Sequence, residues 1–189
     1  MPGRGEIKGL LALMLLHDSR RAGRETAGGD IVLLEEQDRS LWDQKEISEG
    51  LALVEQGLRR GPIGPYQLQA AIAALHAEAR IAAETDWNQI SELYERLLQM
   101  HPSPVIALNH AVAIAMSTRL EDGLRRIDAL GDSGELDHYY LFHAARADIL
   151  RRMCRLDEAA EAYRTALTLA TNTIEQEFLR RRLEALERA

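Results

Sequence analysis

The sequence predicts an all-α protein. Antiparallel helix pairs stack as a right-handed solenoid, preceded by an atypical N-terminal helical part. Three observations carry this. First, the C-terminal half repeats itself. Large apolar residues open a motif at Trp87, Leu120 and Leu156, spaced 33 and then 36 residues apart. Three further columns follow at matching offsets: Ile90, Gly123 and Ala159; then Tyr94, Ile127 and Tyr163; then Leu97, Leu130 and Ala166. Second, Ala and Leu dominate and aromatics make up only 5%, which suits close helix–helix packing better than a β-sandwich. Third, Gly and Pro punctuate the chain at 61–65, 102–104 and 131–134, between stretches with apolar residues at helical spacing. A helix pair of this period cannot bury its apolar face alone and must stack, which makes the repeat tetratricopeptide-like.

The elements follow in order. Residues 6–17 read as a helix that is apolar on nearly every side (Ile7, Leu10, Leu11, Leu13, Met14, Leu15, Leu16). Such a helix is expected to be central and covered by neighbours. Residues 22–30, rich in Gly and Thr, read as a loop, and Ile31–Leu34 as a short extended segment. Ser40 or Asp43 caps a helix carrying Ile47, Leu51, Val54 and Leu58. Gly61 to Pro65 is the strongest break, and Pro65 suits the first turn of a helix running from Tyr66 to Ala79. Residues 80–84 connect to a helix capped by Asp86, with Gln89 three residues on. Helices are then expected over 105–117, 120–130, 138–153, 157–170 and 173–188. The last carries a basic stripe of Arg180, Arg181 and Arg182 and caps the stack. One domain over 1–189 is expected, with 1–60 as the atypical part, 61–189 as repeats and cap, and a soft boundary near Gly61.

Composition narrows the function. Charged residues are 28% and apolar residues 46%, typical of a folded soluble chain. The net charge of −7 argues against a grip on nucleic acid, where phosphate contacts supply most of the affinity. A single cysteine, Cys154, excludes an internal disulfide and a multi-cysteine zinc site. The cytoplasm is the expected compartment. The apolar run from Gly9 to Leu16 is too short to span a bilayer. It also lacks the flanks of a signal peptide, since Glu6 interrupts the basic region and no small-residue cleavage site follows.

No catalytic constellation assembles. His76-Ala77-Glu78 lacks the Pro-Cys-x-x-Cys pair that zinc deaminases add to His-x-Glu. His138 and His143 are five apart, which suits a metal poorly on a helix. His17-Asp18 has no nucleophile in a strand-to-helix turn. Residues 27–30 lack the Lys and helix of a phosphate loop. The expectation is no enzyme, no cofactor and no metal. Trp87, Tyr94 and Tyr163 fall in repeat columns and read as core. Cys154 reads as a small packing residue between paired helices. Polar residues without an evident structural task are the better candidates for contact: Tyr66, Gln67 and Gln69 on an Ala-rich helix, and Asn109 and His110 mid-helix.

Several longer stretches carry a resemblance. They are Gly9–Arg21 (GLLALMLLHDSRR), Leu33–Asp43 (LLEEQDRSLWD), Gly64–Ala74 (GPYQLQAAIAA), Thr85–Trp87 and Pro102–Val105, in that order. Together they resemble the tetratricopeptide-like C-terminal extension of bacterial extracytoplasmic-function RNA polymerase sigma factors. Two positions depart: His110 stands where Arg is expected, and Cys154 where Gly is expected. The resemblance implies a non-catalytic interaction domain acting in transcription initiation. Its partners would be the factor's own DNA-binding regions, core RNA polymerase or a regulator. Neither nucleic acid, membrane nor a small molecule is expected to bind this segment directly. Asp38, Arg39, Tyr66, Gln67, Gln69, His76, Asn109 and His110 are the contact candidates. The sequence carries no helix-turn-helix with a basic recognition helix, so the extension alone is expected. The alternatives are a free-standing scaffold binding a peptide in a concave groove, and a small-molecule sensor using Tyr66, His76 and Asn109.

Overall fold

The structure is a computed structural model, and it describes residues 4–59 and 62–188. It is all-helical. Among the described residues there is no strand, only one isolated antiparallel bridge between Glu25 and Ile31. The helices are α1 (Arg4–Asp18), α2 (Gln44–Leu58), α3 (Pro65–Glu78), α4 (Trp87–Met100), α5 (Pro104–Ser117), α6 (Leu120–Gly131), α7 (Tyr140–Arg152), α8 (Leu156–Leu169) and α9 (Thr173–Glu187). Short 3₁₀ turns occupy Arg21–Gly23, Arg39–Leu41 and Ala82–Glu84.

The starts have local causes. Asp43 accepts from the backbone N–H groups of Lys45 and Glu46 at 2.8 and 3.0 Å, so it caps α2. Asp86 accepts from Gln89 N–H at 3.0 Å and caps α4. Asn172 does the same for α9 through Ile174 N–H at 2.8 Å. Pro65 and Pro104 stand in the first turns of α3 and α5, where a missing N–H costs nothing.

The chain divides into two compact units, the first up to Pro102 and the second from Ser103. The boundary expected near Gly61 falls at a residue outside the described set. In the first unit α1 packs on α2 and α3, α2 on α3, and α3 on α4. In the second unit each helix from α5 to α9 packs on the next, and α5 also touches α7.

The repeat columns mark the buried faces. Ile90, Gly123 and Ala159 are all buried, as are Ile127, Tyr163, Leu97 and Ala166. Tyr94, Leu130 and the opening residues Trp87, Leu120 and Leu156 are half-buried. Trp87 therefore contributes less to the core than the full burial its column suggests. It packs edge-on against His76, ring centroids 5.2 Å apart.

Helix α1 departs from expectation. It is not covered on all sides: Ile7 (60% exposed), Leu10, Leu11 and Met14 (62% exposed) form an open stripe. The buried seam is Gly9, Ala12, Leu16 and Ser19. Small residues there let α3 approach closely. A Cβ at Gly9 would lie 2.7 Å from the backbone N of Gln67. The long Leu run is thus split between two faces, and the small side chains choose which one is buried.

The arginines expected as a basic stripe lie on α9 and have local partners. Arg180 and Arg181 both pair with Glu177, and Arg182 lies over Phe178, 5.2 Å from the ring centroid.

Candidate functional site

The stretches Gly9–Arg21 and Leu33–Asp43 meet at the C-terminal end of α1. Trp42 is the anchor, only 3% exposed. The guanidinium of Arg39 lies 4.9 Å from its ring centroid and that of Arg20 5.8 Å, both within cation–π range. Gly23 lets the loop pass against the indole edge, since a Cβ there would sit 3.1 Å from Nε1. That indole N–H is buried and has no acceptor among the described residues.

Arg39 ties this corner to the end of α3. It donates to the carbonyl of His76 at 2.7 Å, to the carbonyl of Ala79, and to Thr85 Oγ1 at 3.4 Å. These are the orphan carbonyls of a helix C-terminus, where a cation also meets the favourable end of the dipole. Arg24 serves α1 likewise by donating to the His17 carbonyl. Ser19 Oγ donates to the Leu16 carbonyl at 2.9 Å. Arg20 Nη2 stands 3.3 Å from His17 Nδ1.

The corner is electropositive in an acidic chain. Partial burial, reinforced by Arg24 and Arg39, pulls Arg20 down to about 10. Burial, then Arg20, Arg39 and His17, lowers His76 to about 4, so its imidazole is neutral at physiological pH. Desolvation, then Arg20 and Arg24, also lowers His17. Beside these cations opens a cleft of about 490 Å³. Leu11, Met14 and Leu15 form its apolar side; His17, Asp18, Arg21 and Arg24 form its polar rim. Asp18 accepts from Arg21 at 2.5 Å, so that pair is neutral. The cleft continues the open stripe of α1, because Leu11 and Met14 belong to both.

The sequence-derived contact candidates separate into groups. Asp38 is exposed and caps the 3₁₀ turn, accepting from Ser40 N at 2.9 Å and Ser40 Oγ at 2.7 Å. Arg39 and His76 join the corner described above. Gln67 is not at the surface. It is 2% exposed, and its amide spans the α2–α3 junction: Nε2 donates to the Gly57 carbonyl at 2.7 Å and Oε1 accepts from Gly64 N at 3.0 Å. The backbone N–H groups of Tyr66 and Gln67 donate to Glu6, fastening α1 to the start of α3. Tyr66 keeps an exposed ring, and Gln69 is half-buried. Asn109 (exposed) and His110 (half-buried) lie on α5 in the other unit.

Cys154 is exposed in the turn after α7, not packed between helices as its small side chain suggested. Sequence reasoning missed Arg20, Arg24 and Trp42 as a cluster. Their signal was the density of Arg and Trp within two non-helical stretches, which periodicity cannot bring together.

Among the described residues, no group of three or more His, Cys, Asp or Glu side chains could hold a metal ion. No helix described is long and apolar enough to cross a membrane.

Comparison with known proteins adds two likenesses. Residues 1–58 match DUF6596, a family of unknown function. The chain is also similar to an uncharacterized protein of Rhizobium meliloti (strain 1021), 43% identical over 185 residues. That alignment covers 98% of this chain and 43% of the relative, so the chain spans less than half the relative's length. No solved structure matches.

Proposed function

We propose that these residues form a non-catalytic interaction domain of an extracytoplasmic-function sigma factor, acting in transcription initiation by contact with other protein. One observation carries the reading: the open apolar stripe Ile7, Leu10, Leu11 and Met14 on α1. Its spacing of three, four and seven is that of a helix face that docks on a partner. Ile7 and Met14 keep well over half of their surface open. The motif order given above supports the sigma-factor context, and the longer relative supports a polypeptide that extends beyond these residues.

The second unit is read as a tetratricopeptide-like stack. Its helices pack in chain order, and α5 reaches α7, the helix after next. Nearest-neighbour packing of this kind is the hallmark of solenoids. The acidic charge suits a protein-facing surface rather than a grip on DNA.

The test is transcription from a promoter read by the intact factor. Output is measured with the whole factor, with these residues deleted, and with Ile7→Glu plus Met14→Glu. Output is expected to change in both altered forms. Unchanged output in both removes the reading.

A further inference from the structure

The cationic cleft at the end of α1 is not needed to hold the helix together. Four backbone groups there are already satisfied: the carbonyls of Leu15 and Leu16 by Ser19, that of His17 by Arg24, and that of Ser19 by the N–H of Asp43. The negative end of the helix is therefore covered, yet positive charge remains. Neither Arg20 nor Arg24 has a carboxylate within ion-pair distance among the described residues. Asp18 is occupied by Arg21. Glu46 also faces that side; partial burial, then Asp18 and Asp43, raise its affinity for a proton, while Arg21 lowers it. Glu84 lies on the far side, near Arg39. A chain with net charge −7 thus gathers Arg20, Arg24 and Arg39 close enough to act on one another.

An apolar wall stands next to that charge. Leu11, Met14 and Leu15 line a cleft of about 490 Å³, a size typical of small-molecule sites, which fall in the range of roughly 300–1,000 Å³. A purely ionic ligand would waste this wall. A purely apolar one would leave the guanidinium groups unmatched. Arg is suited to planar, bidentate recognition of carboxylate and phosphate.

We propose that this cleft binds a small amphipathic anion, with its acid group meeting Arg24 and His17 at the rim, Arg20 behind them, and its apolar tail laid on Leu11, Met14 and Leu15. The shared chemistry is a carboxylate or phosphate ester on an alkyl or aryl body. The sequence alone pointed away from a small-molecule ligand; the juxtaposition of arginine with an open apolar wall motivates the opposite proposal. The site does not rest on the sigma-factor reading, because the residues that line it all belong to the first helix and the turn after it.

The test titrates the full chain with four soluble probes: decanoate, octyl phosphate, inorganic phosphate and decyltrimethylammonium. Heat of binding gives affinity, and the Trp42 indole N–H resonance locates the event, with Trp87 as internal comparison. Both amphipathic anions are expected to bind and to move Trp42. Inorganic phosphate and the alkylammonium should bind at least about tenfold more weakly. Affinity should rise by up to about fourfold per methylene while the tail still finds wall to cover. Arg24→Gln removes an exposed side chain with a single hydrogen bond, so the fold should persist. It should weaken both anions about tenfold. Met14→Gln should weaken decanoate several-fold and leave the inorganic phosphate response unchanged. Arg20→Lys, with folding checked by circular dichroism, keeps the charge behind the rim and should weaken both anions less than Arg24→Gln does.

Four outcomes overturn the site: no binding of either amphipathic anion, equal binding of inorganic phosphate, equal binding of the alkylammonium, or an unchanged affinity in Arg24→Gln. Association with phosphatidylglycerol vesicles but not with soluble decanoate would make the stripe a membrane face and overturn it as well. Because every arm uses this chain alone, failure here leaves the transcription test untouched.

Discussion

Cys154 holds a backbone conformation meant for glycine. Its φ is 58°, and its N–H donates to the Arg151 carbonyl at 3.0 Å while Arg155 N–H donates to the Leu150 carbonyl at 3.0 Å. These two bonds define a Schellman motif closing α7, with Cys154 at the left-handed position. A Cβ there is crowded against the carbonyl, whereas glycine is not. Cys154→Gly should therefore stabilise the protein by about 0.5–1 kcal/mol after the greater unfolded freedom of glycine is deducted. Denaturant unfolding checks the sign; a loss of stability would mean that the thiol has a packing task. His76 makes a second prediction at this scale. The unfolded chain protonates it near 6.5 and the folded chain only near 4. Between those values the unfolded state holds more protons, so stability is full above 6.5 and falls as the pH drops toward 4. His76→Phe keeps a ring against Trp87 and removes the titration. The wild type should lose more stability than the variant from pH 7 to pH 4, by on the order of 2 kcal/mol. Parallel pH curves for the two proteins would refute the assignment.

At the scale of elements, close approach is set by the smallest side chains. Gly123 on α6 faces α5, and a Cβ there would lie 2.3 Å from Ala115 Cβ and 2.7 Å from the Ala111 carbonyl oxygen. Backbone cannot yield as a flexible side chain does. Gly123→Ala gains about 1 kcal/mol of helix propensity, but overpacking costs about 1–3 kcal/mol and the helices must separate. A net fall in thermal stability is expected by calorimetry. A rise would show that α5 and α6 slide apart freely. The same logic explains what was legible in the sequence. The repeat columns gave α4, α6 and α8 their buried faces, because periodicity reports one helix at a time. The caps Asp43 and Asp86 were legible because capping is local. The face that α1 buries was not, since its Leu run dominates the pattern while Gly9 and Ala12 decide the contact. Gln67 looked like a surface polar residue because nothing local reveals that Gly57 and Gly64 need its amide. The corner around Trp42 was out of reach for a related reason: Arg20 and Arg39 meet across a loop whose path no period encodes.

At the scale of the whole molecule, the open stripe of α1 separates what the fold needs from what a partner needs. Core residues such as Leu16 and Ile90 are at most 1% exposed, and truncating them is expected to cost about 2–5 kcal/mol. Ile7 and Met14, at 60% and 62% exposed, lie outside that core. Substitutions at such positions usually shift stability by no more than about 0.5 kcal/mol. Ile7→Glu with Met14→Glu should therefore leave the melting temperature and circular dichroism spectrum of this chain nearly unchanged. If the stripe docks on another protein, the same pair introduces two charges into an apolar contact. Burying an unpaired charge costs far more than the apolar area it replaces. Association should then be abolished while the fold is intact. The two measurements must be read together. Loss of transcriptional output with an unchanged melting curve assigns the stripe to docking. Loss of both would mean that α1 is held by these side chains after all, and an unchanged output with an unchanged melt would leave the stripe without a partner and remove the observation on which the interaction-domain reading rests.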